Sequence, residues 1–223
     1  MVEITVRGRA IERASAELAS VTVQSRWTAP SADEAMRAVT DAHGRLVEDA
    51  KRHEAAGALE SWHADRVWIS HQQEWVGEGE PRRLTYTAAA AVTLRFTDFE
   101  VLGTWLGEVG VQETHEVGGI GWSLTEETER ELARTARTRA IADAAERAAD
   151  YAAAAGLATP VVDGIQEPGT TPPAPRAAKA RMETMAFAAA GDAAPAVELE
   201  AGEIEVRAAV EVRFVADPQQ HLG

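Results

Sequence analysis

A histidine and an aspartate stand two positions apart, His63 and Asp65, directly after Trp62. In a strand, residues at this spacing share a face, so both side chains can approach one metal ion or one small ligand. His71 falls on the same face by the same alternation, but eight strand residues place it about 26 Å away. Because no third ligand is fixed nearby, exposed polar residues on a sheet explain this pattern better than a metal site. The alternative is a small-molecule-binding or metal-binding protein, or a cryptic enzyme, with a cleft near Trp62, His63 and Asp65.

Two glycines, Gly119 and Gly121, stand between a predicted strand and a predicted helix, as in a phosphate-binding loop. Leu124 occupies the third glycine position, and a run of glutamates follows where phosphate would bind. Backbone crowding or a bulge therefore explains the glycines better than a nucleotide site. The chain has no serine-nucleophile elbow, zinc-binding helix motif, P-loop or cysteine. The sequence predicts no catalytic residue, no cofactor and no metal site, and we expect a non-enzymatic protein.

The composition excludes several classes of partner. Apolar residues make up 45% of the 223 residues and charged residues 26%, as in soluble globular proteins. The formal net charge of −14 repels phosphate backbones, so we expect no nucleic-acid partner. No apolar run approaches the roughly 20 residues of a membrane helix, so we expect no membrane insertion. The first residues show strand-like alternation rather than a basic and then apolar leader, which predicts a cytoplasmic protein.

Periodicity predicts the secondary structure. Alternating apolar and polar residues predict strands over 3–7, 16–27, 59–76, 84–96, 112–124, 160–166 and 202–215. Gly8 is predicted to end the first of these strands, and 77–81 to join 59–76 and 84–96 into a hairpin. Apolar residues at helical spacing predict helices that begin after Ser31, after Asp98 and at Thr125.

The third predicted helix, over 125–155, is the longest element of the chain. Ser123 and Glu126 match a capping box at its start. Its arginines are predicted to pair with carboxylates of the same helix. Small residues dominate a stripe along it, and small side chains allow close packing against a sheet or another helix. The stripe comprises Leu132, Ala136, Ala140, Ala144, Ala148, Tyr151 and Ala155.

These elements predict an α+β fold, in which one long and one medium helix pack on long antiparallel strands. The order of elements indicates a βαββ pseudo-repeat, with sub-lobes at 16–97 and 112–215 inside a single domain of residues 1–223. The proline-rich stretch 168–178 is predicted to be a flexible loop, and 181–189 a strand or a loosely ordered excursion.

The chain resembles the SIMPL-domain family, a domain of unknown function, through several short motifs in the family's order. A first strand of the form I-x-V-x-G spans 4–8, and a helix entry E-A-x-x-x-V spans 34–39. The other matching segments are a strand over 86–96, a helix start over 98–103, the G-I-G-W-S-L segment over 119–124, an alanine-rich helix over 140–152, and a V-x-V-x-F strand over 210–214. Arg13 to Ala16 replace the aspartate usual after the first strand, and the export signal of many relatives is absent.

The resemblance implies an α+β fold and assembly into a ring-like or channel-like homo-oligomer. Some relatives are outer-membrane-associated antigens, and some are linked to tolerance of oxidative stress. The family has no agreed catalytic residues, so the resemblance assigns none to this chain.

Overall fold

The computed structural model describes residues 1–75, 82–167 and 199–218. They form an α+β fold, as predicted, with three helices and two sheets. The chain divides into two compact units. Unit 1 comprises 1–14, 125–189 and 203–223, and unit 2 comprises 15–124 and 190–202. The predicted loop 168–178, the predicted segment 181–189 and the predicted hairpin connection 77–81 lie outside the described residues.

The elements of the described residues follow one another along the chain. The strands are β1 (Val2–Ser15), β2 (Leu18–Ala29), β3 (Leu59–Ala64), β4 (Trp68–Glu74), β5 (Arg83–Phe96), β6 (His115–Val117), β7 (Gly121–Ser123), β8 (Val161–Gln166) and β9 (Glu203–Ala216). The helices are α1 (Ala32–Ala55), α2 (Phe99–Gly110) and α3 (Glu126–Ala154).

Unit 2 is a six-stranded sheet covered by α1 and α2. The strand order is β3-β5-β2-β6, with β4 also paired to β5 and β7 also paired to β2. The inward face of β2 and β5 forms the core with α1 and α2, since alternate residues of an antiparallel pair share one face. Its fully buried members include Val21, Val23, Val92, Leu94, Phe96, Leu46, Leu102 and Trp105.

Side-chain caps start the helices of unit 2 where the sequence predicts them. The Ser31 hydroxyl accepts a hydrogen bond from the Glu34 amide at 3.3 Å. The Asp98 carboxylate accepts from the amides of Glu100 and Val101. For α3, however, the prediction that Ser123 caps the helix is wrong. It belongs to β7, and Thr125 caps α3 by accepting from the Thr128 amide.

The prediction of one continuous strand over 59–76 is wrong, because the structure has two separate strands there, β3 and β4. Ala64 lies opposite Val92, but Trp68 lies opposite Ala89, so the broken side contains one extra residue. A shift of one residue moves all later side chains to the other face of the sheet. The predicted strand over 112–124 is likewise two short strands, β6 and β7, which both pair with β2.

Unit 1 is a three-stranded sheet of order β1-β9-β8, with α3 packed against it. The small-residue stripe of α3 is buried, as predicted, but it ends differently. Ala152 continues the spacing of four residues, whereas Tyr151 and Ala155 are exposed. The buried partners of this stripe are Val6, Val210, Val212 and Phe214.

Gly8 does not end the first strand, since β1 continues to Ser15. It marks the closest approach between β1 and α3. A Cβ on Gly8 would lie 1.9 Å from the Ala140 carbonyl oxygen and 2.9 Å from the Ala144 Cβ. The absence of a side chain therefore lets the helix backbone rest directly on the strand.

The polar flank of α3 binds β1 rather than carboxylates of its own helix, which corrects the predicted pairing of Arg139 and Arg147. Arg139 pairs with Glu12 at 2.8 Å, and Arg147 donates to the Arg7 carbonyl at 2.8 Å. The Asp143 carboxylate accepts from the backbone amide of Arg9 at 2.8 Å. These contacts fix the position of the helix along the strand.

Replacing Gly8 by alanine should lower the free energy of unfolding of unit 1 by about 1–3 kcal/mol, because the new methyl group collides with helix backbone. Hydrogen exchange of the α3 amides under increasing urea measures this directly. Gly44→Ala is the matched control. Its Cβ would meet nothing within 4 Å, and alanine should stabilise the interior of α1 by about 0.5–1 kcal/mol. Unchanged α3 protection in Gly8→Ala would contradict the close contact.

Candidate functional site

The structure brings His63 and Asp65 together but places His71 on the other face of the sheet. His63 Nε2 lies 3.3 Å from an Asp65 carboxylate oxygen, and their side chains are 78% and 59% exposed. Trp62 is half-buried against the unit 2 core. His63 lies opposite Thr93, but His71 lies opposite Tyr86 on the other face of β5. Across residues 1–75, 82–167 and 199–218, no three acidic or histidine side chains are grouped to hold a metal.

The glycines predicted to be crowded or bulged are not the crowded ones. Gly119 has nothing within 4 Å of its ideal Cβ position, and Gly121 has one atom at 3.9 Å. Gly118 is crowded instead, since a Cβ there would lie 2.9 Å from the Thr22 carbonyl oxygen. Gly118 also donates its amide to that oxygen at 2.8 Å. This glycine thus allows close approach to β2 between β6 and β7.

A shallow cleft of about 570 Å³, largely open to solvent, lies on unit 2 along one side of α1. Residues one turn apart on a helix share a face, and three such turns of α1 line the cleft. Gln112, which follows α2, closes its other side. The lining residues are Thr40, Asp41, Gly44, Arg45, Glu48, Asp49 and Gln112. The cleft therefore offers three carboxylates, one guanidinium, a hydroxyl and an amide.

Asp49 joins this cleft to the unit 2 core. Its carboxylate accepts from the indole Nε1 of Trp105 at 3.2 Å and from Arg52 at 2.7 Å. Trp105 is buried in α2, so the first bond ties α1 to α2. A buried indole N–H needs an acceptor, and a carboxylate is a strong one.

His115 lies in β6, opposite Ser25 of β2, and is 9% exposed. Its Nδ1 lies 3.2 Å from the Ser25 hydroxyl, and its backbone amide donates to the Gln112 carbonyl at 3.0 Å. Burial lowers the pKa of His115, and Arg45 lowers it further, against the opposing effects of Asp49 and the Thr114 backbone. The imidazole is therefore held neutral at physiological pH.

The pairing of His115 with Ser25 is structural in this conformation. Ser25 is fully buried, so a substrate cannot reach its hydroxyl. The histidine nitrogen that bonds the serine is Nδ1, and Nε2 is buried without a hydrogen-bond partner among the described residues. The Ser25–His115 pair therefore holds β6 on the sheet.

Comparison with protein families decides where this chain belongs. Residues 4–214 match the family model of SIMPL, described as a protein of unknown function (DUF541). The chain belongs to the SIMPL family. This confirms the resemblance found in the sequence motifs. No curated protein matches this SIMPL chain.

Sequence reasoning missed the cleft of the SIMPL chain, because its residues come from α1 and from the turn after α2. Asp49 and Arg45 look like ordinary exposed charges on a helix. One signal was present in the sequence, namely the spacing of 41, 45, 48 and 49 along a single helical face. Only the fold places Gln112 and His115 beside that face. None of the helices in the described residues is both long and apolar enough to cross a membrane.

Replacing Asp49 by alanine should destabilise unit 2 by about 1–3 kcal/mol, because it leaves the buried Trp105 N–H without its acceptor. Asp49→Asn should lose less, since its amide oxygen can still accept. All six tryptophans lie in residues 15–124, so tryptophan fluorescence under urea measures the effect. Glu48→Ala is the matched control, because its pair with Lys51 is exposed and should change stability by at most about 0.5 kcal/mol. Equal losses for Asp49→Ala and Glu48→Ala would contradict this role.

Proposed function

We propose that this SIMPL protein is a non-enzymatic protein that assembles into a closed, ring-like or channel-like homo-oligomer. The observation that carries the proposal is β4, an edge strand whose seven residues are all exposed. A role in tolerance of oxidative stress, which the resemblance to exported and stress-related relatives implies, belongs to the same proposal.

The edge of unit 2 carries exposed apolar side chains on both faces at the start of β4. Trp68 is 51% exposed and Ile69 is 40% exposed, and consecutive strand residues point to opposite faces. Trp75, just beyond the strand, and Leu84, on the neighbouring strand β5, are exposed as well. Edge strands carry unpaired N–H and C=O groups that can pair with another chain, and soluble proteins usually protect them with charge. Glu74 is the only aspartate, glutamate, lysine or arginine in β4.

Unit 1 has a second edge of the same kind at β8. Val162 and Ile165 lie opposite Phe214 and Val212, which are buried under α3. Directly opposed residues share a face, so these two side chains lie on the face that α3 covers elsewhere. Both nevertheless remain about half exposed, at 47% and 53%. Val161, on the other face, is also exposed.

Two different edges on one chain favour heterologous contacts between copies. A contact in which β4 of one copy meets β8 of the next repeats around an axis, and it gives a ring if the rotation closes. Among the described residues, the β4 and β8 edges each combine backbone without a further strand partner with large apolar side chains, so pairing would satisfy both in one step.

Light scattering tests this proposal, with one sharply defined species of several chain masses expected at low and at physiological salt. Ile69→Lys in β4 and Ile165→Lys in β8 should each shift that species to the single-chain mass, because a charged group would be buried at the contact. Ala142→Lys adds the same charge on an exposed position of α3 and should leave the mass unchanged. A wild-type monomer under both salt conditions would overturn the proposal.

Binding of a small molecule is the second candidate function. The observation that favours it is the cleft beside α1, with its mixed charges, rather than the exposed surface near Trp62, His63 and Asp65. A thermal-shift screen of metals and metabolites tests it. A ligand bound in the cleft should stabilise wild type and His63→Gln but not Arg45→Ala. A thermal shift lost only in His63→Gln would place the ligand at the predicted His63 site. The absence of a thermal shift with every compound would contradict small-molecule binding.

A further inference from the structure

The histidines of the described residues all belong to unit 2. They are His43, His53, His63, His71 and His115. Unit 1 is held instead by alanine packing and by pairs between arginines and carboxylates, such as Arg139 with Glu12 and Arg213 with Asp163. Histidine is the side chain that changes charge between pH 5 and 8. Mild acid can therefore change the charge of these histidines in unit 2, whereas unit 1 has no histidine among the described residues.

Three of these histidines are placed where a positive charge is unfavourable. Each has one ring nitrogen that is buried and has no hydrogen-bond partner among the described residues, namely His43 Nδ1, His53 Nε2 and His115 Nε2. A buried nitrogen that gains a proton without gaining an acceptor leaves a charge unsolvated. His63 and His71, in contrast, lie exposed on β3 and β4.

His53 lies in an aromatic cluster near the end of α1. Its ring centroid is 5.8 Å from that of Phe96 in β5 and 6.2 Å from that of Trp105 in α2. The charged groups that act on it are Arg52, Asp49 and Glu108. Burial is the largest cause that lowers the pKa of His53, and Arg52 adds to it, whereas Asp49 and Glu108 oppose it.

The other two histidines lie on α1 and on β6. Burial lowers the pKa of His43 on α1, and only the backbone and carboxylate of Asp65 oppose this. His115 is packed between Ser25 and the turn at Gln112, with Arg45 and Asp49 as the charged groups that act on it. The three histidines thus sit where α1, α2 and β6 meet the sheet.

We propose that unit 2 is a pH-sensitive module, in which α1 and α2 separate from the six-stranded sheet in mild acid while unit 1 remains folded. Separation exposes the buried ring nitrogens of His43, His53 and His115 to water, so each takes up a proton more readily in the open state.

The direction of the effect follows from the lowered histidine pKa values. Above the ordinary histidine pKa of about 6.5, both states are neutral, and the closed form keeps its full stability. As the pH falls below that value, the open state binds protons that the closed state does not, so opening becomes more favourable. Each such histidine multiplies the opening constant by up to about tenfold per pH unit, and three together by up to about a thousandfold.

Unit 1 responds in a lower pH range. Hydrogen bonds from Arg207 and Arg13 hold the pKa of the Glu205 carboxyl below its ordinary value. The stability from this group is present above the ordinary carboxyl pKa of about 4.3 and is lost only when the pH falls further. His43, His53 and His115 are therefore expected to respond to falling pH before this carboxyl does.

An acid titration with two readouts tests the proposal. Tryptophan fluorescence follows unit 2, which contains all six tryptophans, and hydrogen exchange of the α3 amides follows unit 1. We expect the fluorescence to change between pH 6.5 and 4.5 while α3 stays protected. Simultaneous loss of both signals, or no fluorescence change above pH 4.5, would overturn the proposal.

Histidine substitutions test which side chains cause the pH dependence. His53→Phe and His43→Gln, each compared with wild type, should move the fluorescence transition to lower pH, and the double variant should move it further. His63→Gln and His71→Gln are the matched controls and should leave the midpoint in place. Equal midpoints in all of these proteins would reject these histidines as the cause.

Imidazole resonances of the wild-type protein provide a readout that needs no variant. The three buried rings should titrate only together with the opening transition, and independent titration near pH 6.5 in the closed form would refute the mechanism.

Discussion

The pairing of β2 with β5 is the constraint on which unit 2 depends. It keeps one register without a break from Ala19 opposite Phe96 to Ala29 opposite Tyr86. Because side chains alternate with a period of two, this register places all the valines and leucines of the two strands' inner face under α1 and α2. The same register brings threonines together on the other face, where Thr22 bonds Thr93 and Thr28 bonds Thr87. The remaining strands add to this pair, with β3 and β4 on β5, and β6 and β7 on β2.

In unit 1, small side chains let α3 pack closely against the sheet, so large side chains are not needed at this contact. Alanines spaced four apart on α3 and the bare backbone at Gly8 bring helix and strand into direct contact. Dispersion forces act over short distances, so close packing of small groups gains contacts that larger side chains would otherwise supply. The polar flank of α3 then bonds the backbone of β1 at Arg7 and Arg9, which sets the position of the helix along the strand.

Polar groups inside unit 2 connect its helices, its cleft and its histidines. Asp49 faces the cleft, accepts from Trp105 and carries a charge that acts on both His53 and His115. The hydrogen bond of Asp49 to Trp105 ties α1 to α2, while its charge favours the protonated form of both histidines and so opposes the effect of burial. The cleft, the aromatic cluster and the Ser25–His115 pair are therefore parts of one network, and a ligand at Asp49 would act on all of them.

Local spacing and short motifs were enough to predict the element types, the caps at Ser31 and Asp98, the close-packing alanine stripe and the family. They also brought His63 and Asp65 together, since two residues apart on a strand is a local relation. Tertiary structure decided the rest. The extra residue between Ala64 and Trp68 moved His71 to the opposite face, and the pairing of β6 with β2 placed His115 against Ser25, 90 positions away. Those outcomes follow from how separate strands pair and where a bulge relieves their register, and no local pattern encodes such long-range relations.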